Sequence, residues 1–292
     1  EISEKYPACE TTLDPNDILL DKEISVVSIA SFDNHHASQV VKALENKKHV
    51  FVEKPLCLLR SEYSDIEKCL LANEDLYLSS NLILRKTPRF IELKKRIDSG
   101  QMGIPYLYEA NYDYGRIEKI LDGWRGHIDF YSVMHGGGIH LIDLMLWLSN
   151  SKIISVKALS TKISTASSNF RYPDCISASL EFENKAIGHV TANFSSITEH
   201  GHRLVVNGVK GTFNHGPLGA AYFWGTDKNP KTELINDTYP GTRKSDLIDN
   251  FIDSILVGEK PAISSKEVMA AMNVSLAIEE SLKTGKNVSI RY

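Results

Sequence analysis

Between residues 25 and 80 the chain alternates short apolar runs with amphipathic stretches, and this alternation restricts the fold more than any other feature. Ser25 to Ala30 is a β-rich run, His36 to Asn46 carries Val40, Val41 and Leu44 at helical spacing, and His49-Val50-Phe51-Val52 is apolar again. Glu53-Lys54-Pro55 closes that second strand, Ser61 is placed to cap a helix through Leu71, and Leu76 to Ser80 makes a third strand. Short apolar strands joined by helices pair in parallel through right-handed crossovers. Thr87, Pro88 and Gly100 then bracket one more helix, with Phe90, Ile91, Leu93 and Ile97 available for packing.

From about residue 104 the period changes from helical to two. Tyr106 to Tyr114, Ile153 to Ile163, Cys175 to Phe182, Ala186 to Phe194, His202 to Val206 and Thr212-Phe213 read as strands joined by turns such as Glu183-Asn184-Lys185. Helices are expected over Asn16 to Leu20, Ile139 to Leu148, Ser245 to Leu256 and Ser265 to about Lys283, with a short strand at Val288 to Ile290. The expected fold is α/β: a parallel-sheet domain over residues 1–85, then an α+β domain over 86–292 with a large, mostly antiparallel sheet.

Composition narrows the function. Thirty-three Lys and Arg against 37 Asp and Glu, a net charge of -4, leave no electrostatic footprint for nucleic acid or an anionic membrane surface. No apolar run approaches the ~20 residues of a membrane-spanning helix. Cys9, Cys57, Cys69 and Cys175 lack metal-ligand spacing and the density of a disulfide scaffold, which points to buried thiols in a reducing cytoplasm and to no bound metal. A small-molecule substrate must therefore be argued from the placement of polar residues.

In an open parallel sheet, ligands bind beyond the carboxyl ends of the strands. There the chain puts Ser31-Phe32-Asp33-Asn34-His35-His36, then Glu53-Lys54-Pro55, then Asn81 with Arg85 four residues on. A second concentration is Gly136-Gly137-Gly138-Ile139-His140-Leu141-Ile142-Asp143. Its glycines permit close approach either of a ligand or of a neighbouring element, and His140 and Asp143 share a helix face on which the carboxylate could orient the imidazole. Tyr112, Tyr114, Arg116, Trp124 and Arg125 suit a hydroxyl-rich ligand, and an aromatic packing cluster equally.

In family order these blocks resemble the Gfo/Idh/MocA oxidoreductases: the strand ending at Ala30, His36-Ala37, residues 49–55 (HVFVEKP), Asn81 with Arg85 and Pro88, Asp98-Ser99-Gly100, Trp124-Arg125, His140-Leu141-Ile142-Asp143, and Phe251 to Pro261. The resemblance implies a Rossmann-type domain and NAD- or NADP-dependent hydride transfer at a secondary alcohol or ketone of a sugar, nucleotide sugar or cyclic polyol. It implies Lys54 and His140 as catalytic residues, and Ser31, Phe32, Asp33, His36, Glu53, Lys54, Pro55 and Asn81 as contacts of the cofactor. Arg85, Tyr112, Arg116, Trp124, Arg125 and Asp143 are expected with Lys54 and His140 around the substrate, the Lys54-Pro55 bond is expected to be cis, and homodimers or homotetramers are expected. A cofactor-binding regulatory protein, or a glycoside-cleaving enzyme using transient oxidation, fits the same fold. Two departures stand out. Many members place an Asp four residues before the His, where this chain has Gly136, leaving His135, Asp143 or a tyrosine to substitute. The family's opening strand and glycine-rich turn are also missing, so the natural protein is expected to begin some tens of residues earlier.

Overall fold

The computed structural model describes residues 2–225 and 228–292. Helices α1 (Ile2–Lys5) and α2 (Pro15–Leu19) precede a strand-helix alternation: β1 (Val26–Ile29), α3 (Asp33–Glu45), β2 (His49–Val52), α4 (Arg60–Leu71) and β3 (Leu78–Ser80). The three strands form a parallel sheet in the order β1-β2-β3, with Val27 beside Val50 and Val50 beside Leu78. Helix α4 begins at Arg60 rather than after Ser61. The Glu62 carboxylate accepts from the backbone N–H groups of Leu58 and Leu59, so a residue inside the first turn satisfies the end that Ser61 was expected to cap.

A 3₁₀ turn (Ile83–Lys86) and α5 (Pro88–Asp98) lead to the second unit. It contains β4 (Pro105–Asp113), α6 (Glu118–Leu121), a 3₁₀ turn (Trp124–Gly126), a π-helical turn (Met134–Gly138) and α7 (Ile139–Ser149). Strands β5 (Ile153–Thr161), β6 (Cys175–Phe182), β7 (Ile187–Asn193), β8 (Gly201–Gly208), β9 (Gly211–Gly216), β10 (Gly219–Trp224) and β11 (Lys231–Ile235) follow. The chain ends with α8 (Asp246–Val257), α9 (Ser265–Thr284) and β12 (Val288–Ser289). The large sheet runs β11-β10-β9-β8-β4-β7-β6-β5-β12, antiparallel throughout except where β4 meets β7.

Burial alternates along these strands, as in β6, where Ile176, Ala178, Leu180 and Phe182 face inward. Against that face lie Leu141, Leu144, Met145 and Leu148 of α7 and Val274, Ala277 and Ile278 of α9. The same α9 also turns Val268, Met272 and Leu276 to the parallel sheet, joined by Leu247 and Phe251 of α8. The first core is thus completed by residues two hundred positions downstream. Ser265 at the start of α9 accepts from Leu78 N–H at 3.0 Å and donates to Leu78 C=O at 3.2 Å, capping the outer edge of β3. One helix holds both units in register and fixes the crevice between them.

Candidate active site

The carboxyl ends of the parallel strands are built as a braced rim. His36, fully buried in α3, sets Nδ1 2.7 Å from Pro55 C=O and Nε2 3.0 Å from Ser31 C=O, tying the loop after β1 to the turn after β2. Asn81 donates to Glu53 at 2.7 Å, tying the ends of β2 and β3, and the Lys54-Pro55 bond between these braces is cis. His36 and Glu53 therefore hold backbone in place, while Lys54, Asp33 and Phe32 face the crevice. Burial pulls the Lys54 ammonium below its usual pKa, with Arg125 adding to the effect and Asp33 opposing it. Burial likewise raises the Asp33 carboxyl, against the pull of Lys54.

Across the crevice, Lys54 Nζ donates to the backbone carbonyl of Gly136 at 2.7 Å. Gly136 stands one turn before His140, so this contact brings the Lys54 side chain to the foot of the turn that carries the imidazole. The glycine run is a device for packing. A Cβ on Gly136 would meet Tyr131 Oη at 2.1 Å, one on Gly137 would meet the Tyr112 ring at 2.6 Å, and one on Gly138 would meet Met134 Sδ at 2.2 Å. Only glycine lets this π-helical turn approach the sheet closely enough to seat His140.

His140 is 8 % exposed, lies over Tyr112 with ring centroids 6.4 Å apart, and keeps Nδ1 buried without a partner. Burial lowers its pKa well below the usual range, and Lys54, His202 and His200 lower it further. The ring is therefore neutral at pH 7 and able to accept a proton. Asp143 does not orient it. Both Asp143 oxygens take hydrogen bonds from Arg85, at 2.9 and 2.6 Å, and Arg85 reaches Glu267 with its remaining nitrogen. Arg85 and Asp143 are consumed in this buried pair between α7 and the turn after β3, so neither is brought to the crevice. His135 is also diverted, with Nδ1 2.7 Å from Ser275 Oγ on α9.

Of the remaining expected groups, Trp124 stacks on Phe32 at 4.8 Å and 15°, joining the two units at the mouth of the crevice. Arg125 packs over Trp124 at 4.4 Å, and Arg116 over Tyr114 at 5.2 Å. Two further residues meet His140 that sequence reasoning passed over: His202 of β8, 6.4 Å away between centroids, and His200, 5.6 Å beyond it. Their two-residue spacing at the start of a strand puts both on one face, a signal available in the sequence. The four thiols are free, but only Cys57 is buried. Cys9 is exposed, and Cys69 and Cys175 are half-buried, because they lie on a helix flank and a strand end.

Comparison with known proteins agrees with this arrangement. Residues 2–78 match the profile of the oxidoreductase family with an NAD-binding Rossmann fold, and residues 90–214 match the GFO/IDH/MocA C-terminal domain. The chain belongs to the Gfo/Idh/MocA oxidoreductase family. Within it, the scyllo-inositol 2-dehydrogenase (NAD(+)) of Bacillus subtilis is 26% identical over 290 residues, 95% of this chain and 81% of that protein. The myo-inositol 2-dehydrogenase of Thermotoga maritima is 23% identical over 311 residues, 99% of this chain and 87% of that protein. Among solved structures, the myo-inositol 2-dehydrogenase of Lactobacillus plantarum superposes with a TM-score of 0.83 at 19% identity, over 99% of this chain and 88% of that one. Levoglucosan dehydrogenase in complex with NADH gives 0.84 at 20% identity, over 96% and 83%.

The residues present suit the nicotinamide end of such a cofactor. Ser80 Oγ and Asn81 Oδ1, at the carboxyl end of β3, are buried without partners, and Lys54 and Asp33 lie beside them on the same rim. Amide, hydroxyl and charged groups of both hydrogen-bonding senses match a carboxamide and ribose hydroxyls. Among the described residues no cluster of metal-ligating side chains occurs, and no helix is long and apolar enough to cross a membrane.

Proposed function

We propose that the protein oxidises a ring hydroxyl of a cyclic polyol or sugar, with residues 1–85 holding NAD or NADP and residues 86–292 holding the substrate. The observation that carries this reading is the convergence of Lys54 and His140, from different units, at the one polypeptide turn that Gly136 makes possible. The names of the relatives, inositol 2-dehydrogenases and levoglucosan dehydrogenase, support a polyhydroxylated ring as substrate.

The bound nicotinamide supplies the hydride acceptor. His140, neutral and desolvated, takes the proton of the reacting hydroxyl. Lys54 presents positive charge where alkoxide character develops; the Gly136 carbonyl fixes its ammonium there, and Asp33 supports the charged form against burial. Ser31, Phe32, Asp33, Glu53, Pro55 and Asn81 shape the nicotinamide side, with His36 bracing it. Tyr112, Arg116, Trp124 and Arg125 supply the aromatic and hydrogen-bonding wall on the substrate side.

The four free thiols support a cytoplasmic protein. The solvent face of the large sheet, where Tyr106, Leu159 and Ile187 are exposed, supports a face-to-face homodimer or a tetramer built from it. The test is reduction of NAD or NADP, followed by absorbance, with a panel of inositols, levoglucosan and free sugars. Growth of reduced cofactor with a polyol supports the reading. Cofactor binding without turnover on any member supports the regulatory alternative, and release of an aglycone at constant cofactor redox state supports glycoside cleavage.

A further inference from the structure

His140 is enclosed, so a proton accepted there needs a way out. On the side away from Lys54 the structure lines up two more imidazoles. His202 stands opposite Tyr112 in the β4–β8 register and crosses its ring at 4.9 Å, and His140 and His200 each contact the same Tyr112 ring, at 6.4 and 5.4 Å. The sequence of rings is His140, His202, His200, with centroid steps of 6.4 and 5.6 Å, each within reach of a direct or singly water-bridged hydrogen bond. His202 Nδ1 is held 2.6 Å from Tyr239 Oη, which fixes the ring, while its Nε2 is buried and has no partner. His200 is exposed to solvent. His202 Nε2 is thus a buried, unpaired imidazole nitrogen beside a proton-accepting imidazole and before a solvent-facing one, a placement that suits a proton carrier.

We propose that His202 and His200 carry the proton released on alcohol oxidation from His140 to solvent. This rests on the oxidoreductase reading above. With a bound nicotinamide to accept the hydride from the carbinol carbon, the hydroxyl proton would pass to His140. His140 passes it to His202 at Nε2, with Nδ1–H donating to Tyr239, and His202 passes it to His200 and water. Each transfer moves one proton from one ring to the next, His202 receiving and releasing it at Nε2 while Nδ1–H stays on Tyr239, so each ring is neutral again once the proton has moved on and no oxidant beyond the nicotinamide is required. Burial lowers the pKa of both His140 and His202, so all three rings rest neutral and the proton does not lodge inside. Of the groups facing the row, Lys54 beside His140 favours departure of the proton, His215 beyond Tyr239 is itself depressed to about 4 and rests neutral, and Arg116 beside His200 keeps the proton from resting there and favours its release to water. Reduction of a ketone runs the path inward.

The experiment uses the full chain with saturating NAD and myo-inositol or levoglucosan, in weak buffer, with and without added free imidazole. His200→Ala changes an exposed side chain, and His202→Gln keeps a group that can meet Tyr239. In both variants kcat is expected to fall by roughly ten- to a hundredfold, short of the ~10²–10⁴ of a lost general base, with KM unchanged. Free imidazole is expected to restore the rate of His200→Ala, and a larger solvent deuterium effect should accompany the loss. Unchanged kcat in His200→Ala and His202→Gln overturns the proposal, as does a loss in His200→Ala that imidazole cannot restore, or a loss in either that appears in KM. If the parent reduces neither NAD nor NADP with any member of the inositol, levoglucosan and sugar panel, the reading of the site falls first and the relay with it, a result distinct from an active parent with indifferent variants.

Discussion

Lys54 reaches from the end of β2 to the backbone carbonyl of Gly136, 2.7 Å away, and that single hydrogen bond joins the parallel-sheet unit to the turn carrying His140. The ammonium retains further N–H groups for a substrate oxygen. Replacing it by Met removes the charge and leaves most of the volume. We expect kcat/KM for polyol oxidation to fall by roughly 10²–10³, the usual cost of deleting one donor at a developing oxyanion. Lys54→Arg should not rescue it, because a planar fork cannot take the place of a compact ammonium between a carbonyl and a substrate. Steady-state rates of cofactor reduction check both.

Gly136 and Tyr131 share one space. An added Cβ at Gly136 lies 2.1 Å from Tyr131 Oη, and Tyr131 is 1 % exposed, so the ring has nowhere to retreat. Gly136→Ala is expected to cost about 1–3 kcal/mol of stability by overpacking. In the Tyr131→Ala background the same substitution should cost less, with a coupling of about 0.5–3 kcal/mol read from a denaturant double-mutant cycle. Equal costs in both backgrounds would separate the two residues.

Asp143 offers a test of stability against chemistry. It is fully buried and spends both oxygens on Arg85, itself 5 % exposed. Asp143→Ala leaves two N–H groups of a buried guanidinium without their acceptor and should destabilise the fold by about 1–3 kcal/mol. Glu267 lies on the far side of Arg85 and remains its partner. The folded variant should keep the parent KM and pH profile. A shifted profile with unchanged stability would instead tie Asp143 to His140.

The parallel unit was legible because its information is local: hydrophobic period, Pro88, and the Lys54-Pro55 turn all act within a few residues. The hairpin β10–β11 was not. Its first strand, Gly219 to Trp224, carries glycine and alanines of weak β preference, and it forms because Tyr222 and Trp224 stack under Arg96 while Glu233 accepts from both Arg96 and Trp224 Nε1. The same limit governs the site. Lys54 and His140 stand out by residue type and order, but the partner of Asp143 is Arg85, 58 positions earlier, and spacing along one helix pointed to His140 instead. The glycine run is the mixed case. Its composition announces close approach, and only the fold reveals that the approaching groups are Tyr131, Tyr112 and Met134.

Four enclosed histidines give the fold a dependence on acid whose sign is fixed by their direction of shift. In the unfolded chain they titrate near 6.5, whereas burial depresses His135 and His202 to about 3, His215 to about 4, and His140 well below its usual range. Between those values the unfolded chain binds more protons than the folded one, so the contribution of these four groups is level above pH 6.5 and declines as the pH falls below it. Each such group contributes up to about 1.4 kcal/mol per pH unit within its window. His135 isolates one of them, since it lies against Ser275 and Phe130. His135→Gln, which can still meet the Ser275 hydroxyl, is expected to lose less stability than the parent between pH 7 and pH 5 in urea titrations, the difference reaching about 1–2 kcal/mol. A variant and parent that decline in parallel would mean that His135 titrates in the folded protein much as it does in the unfolded chain.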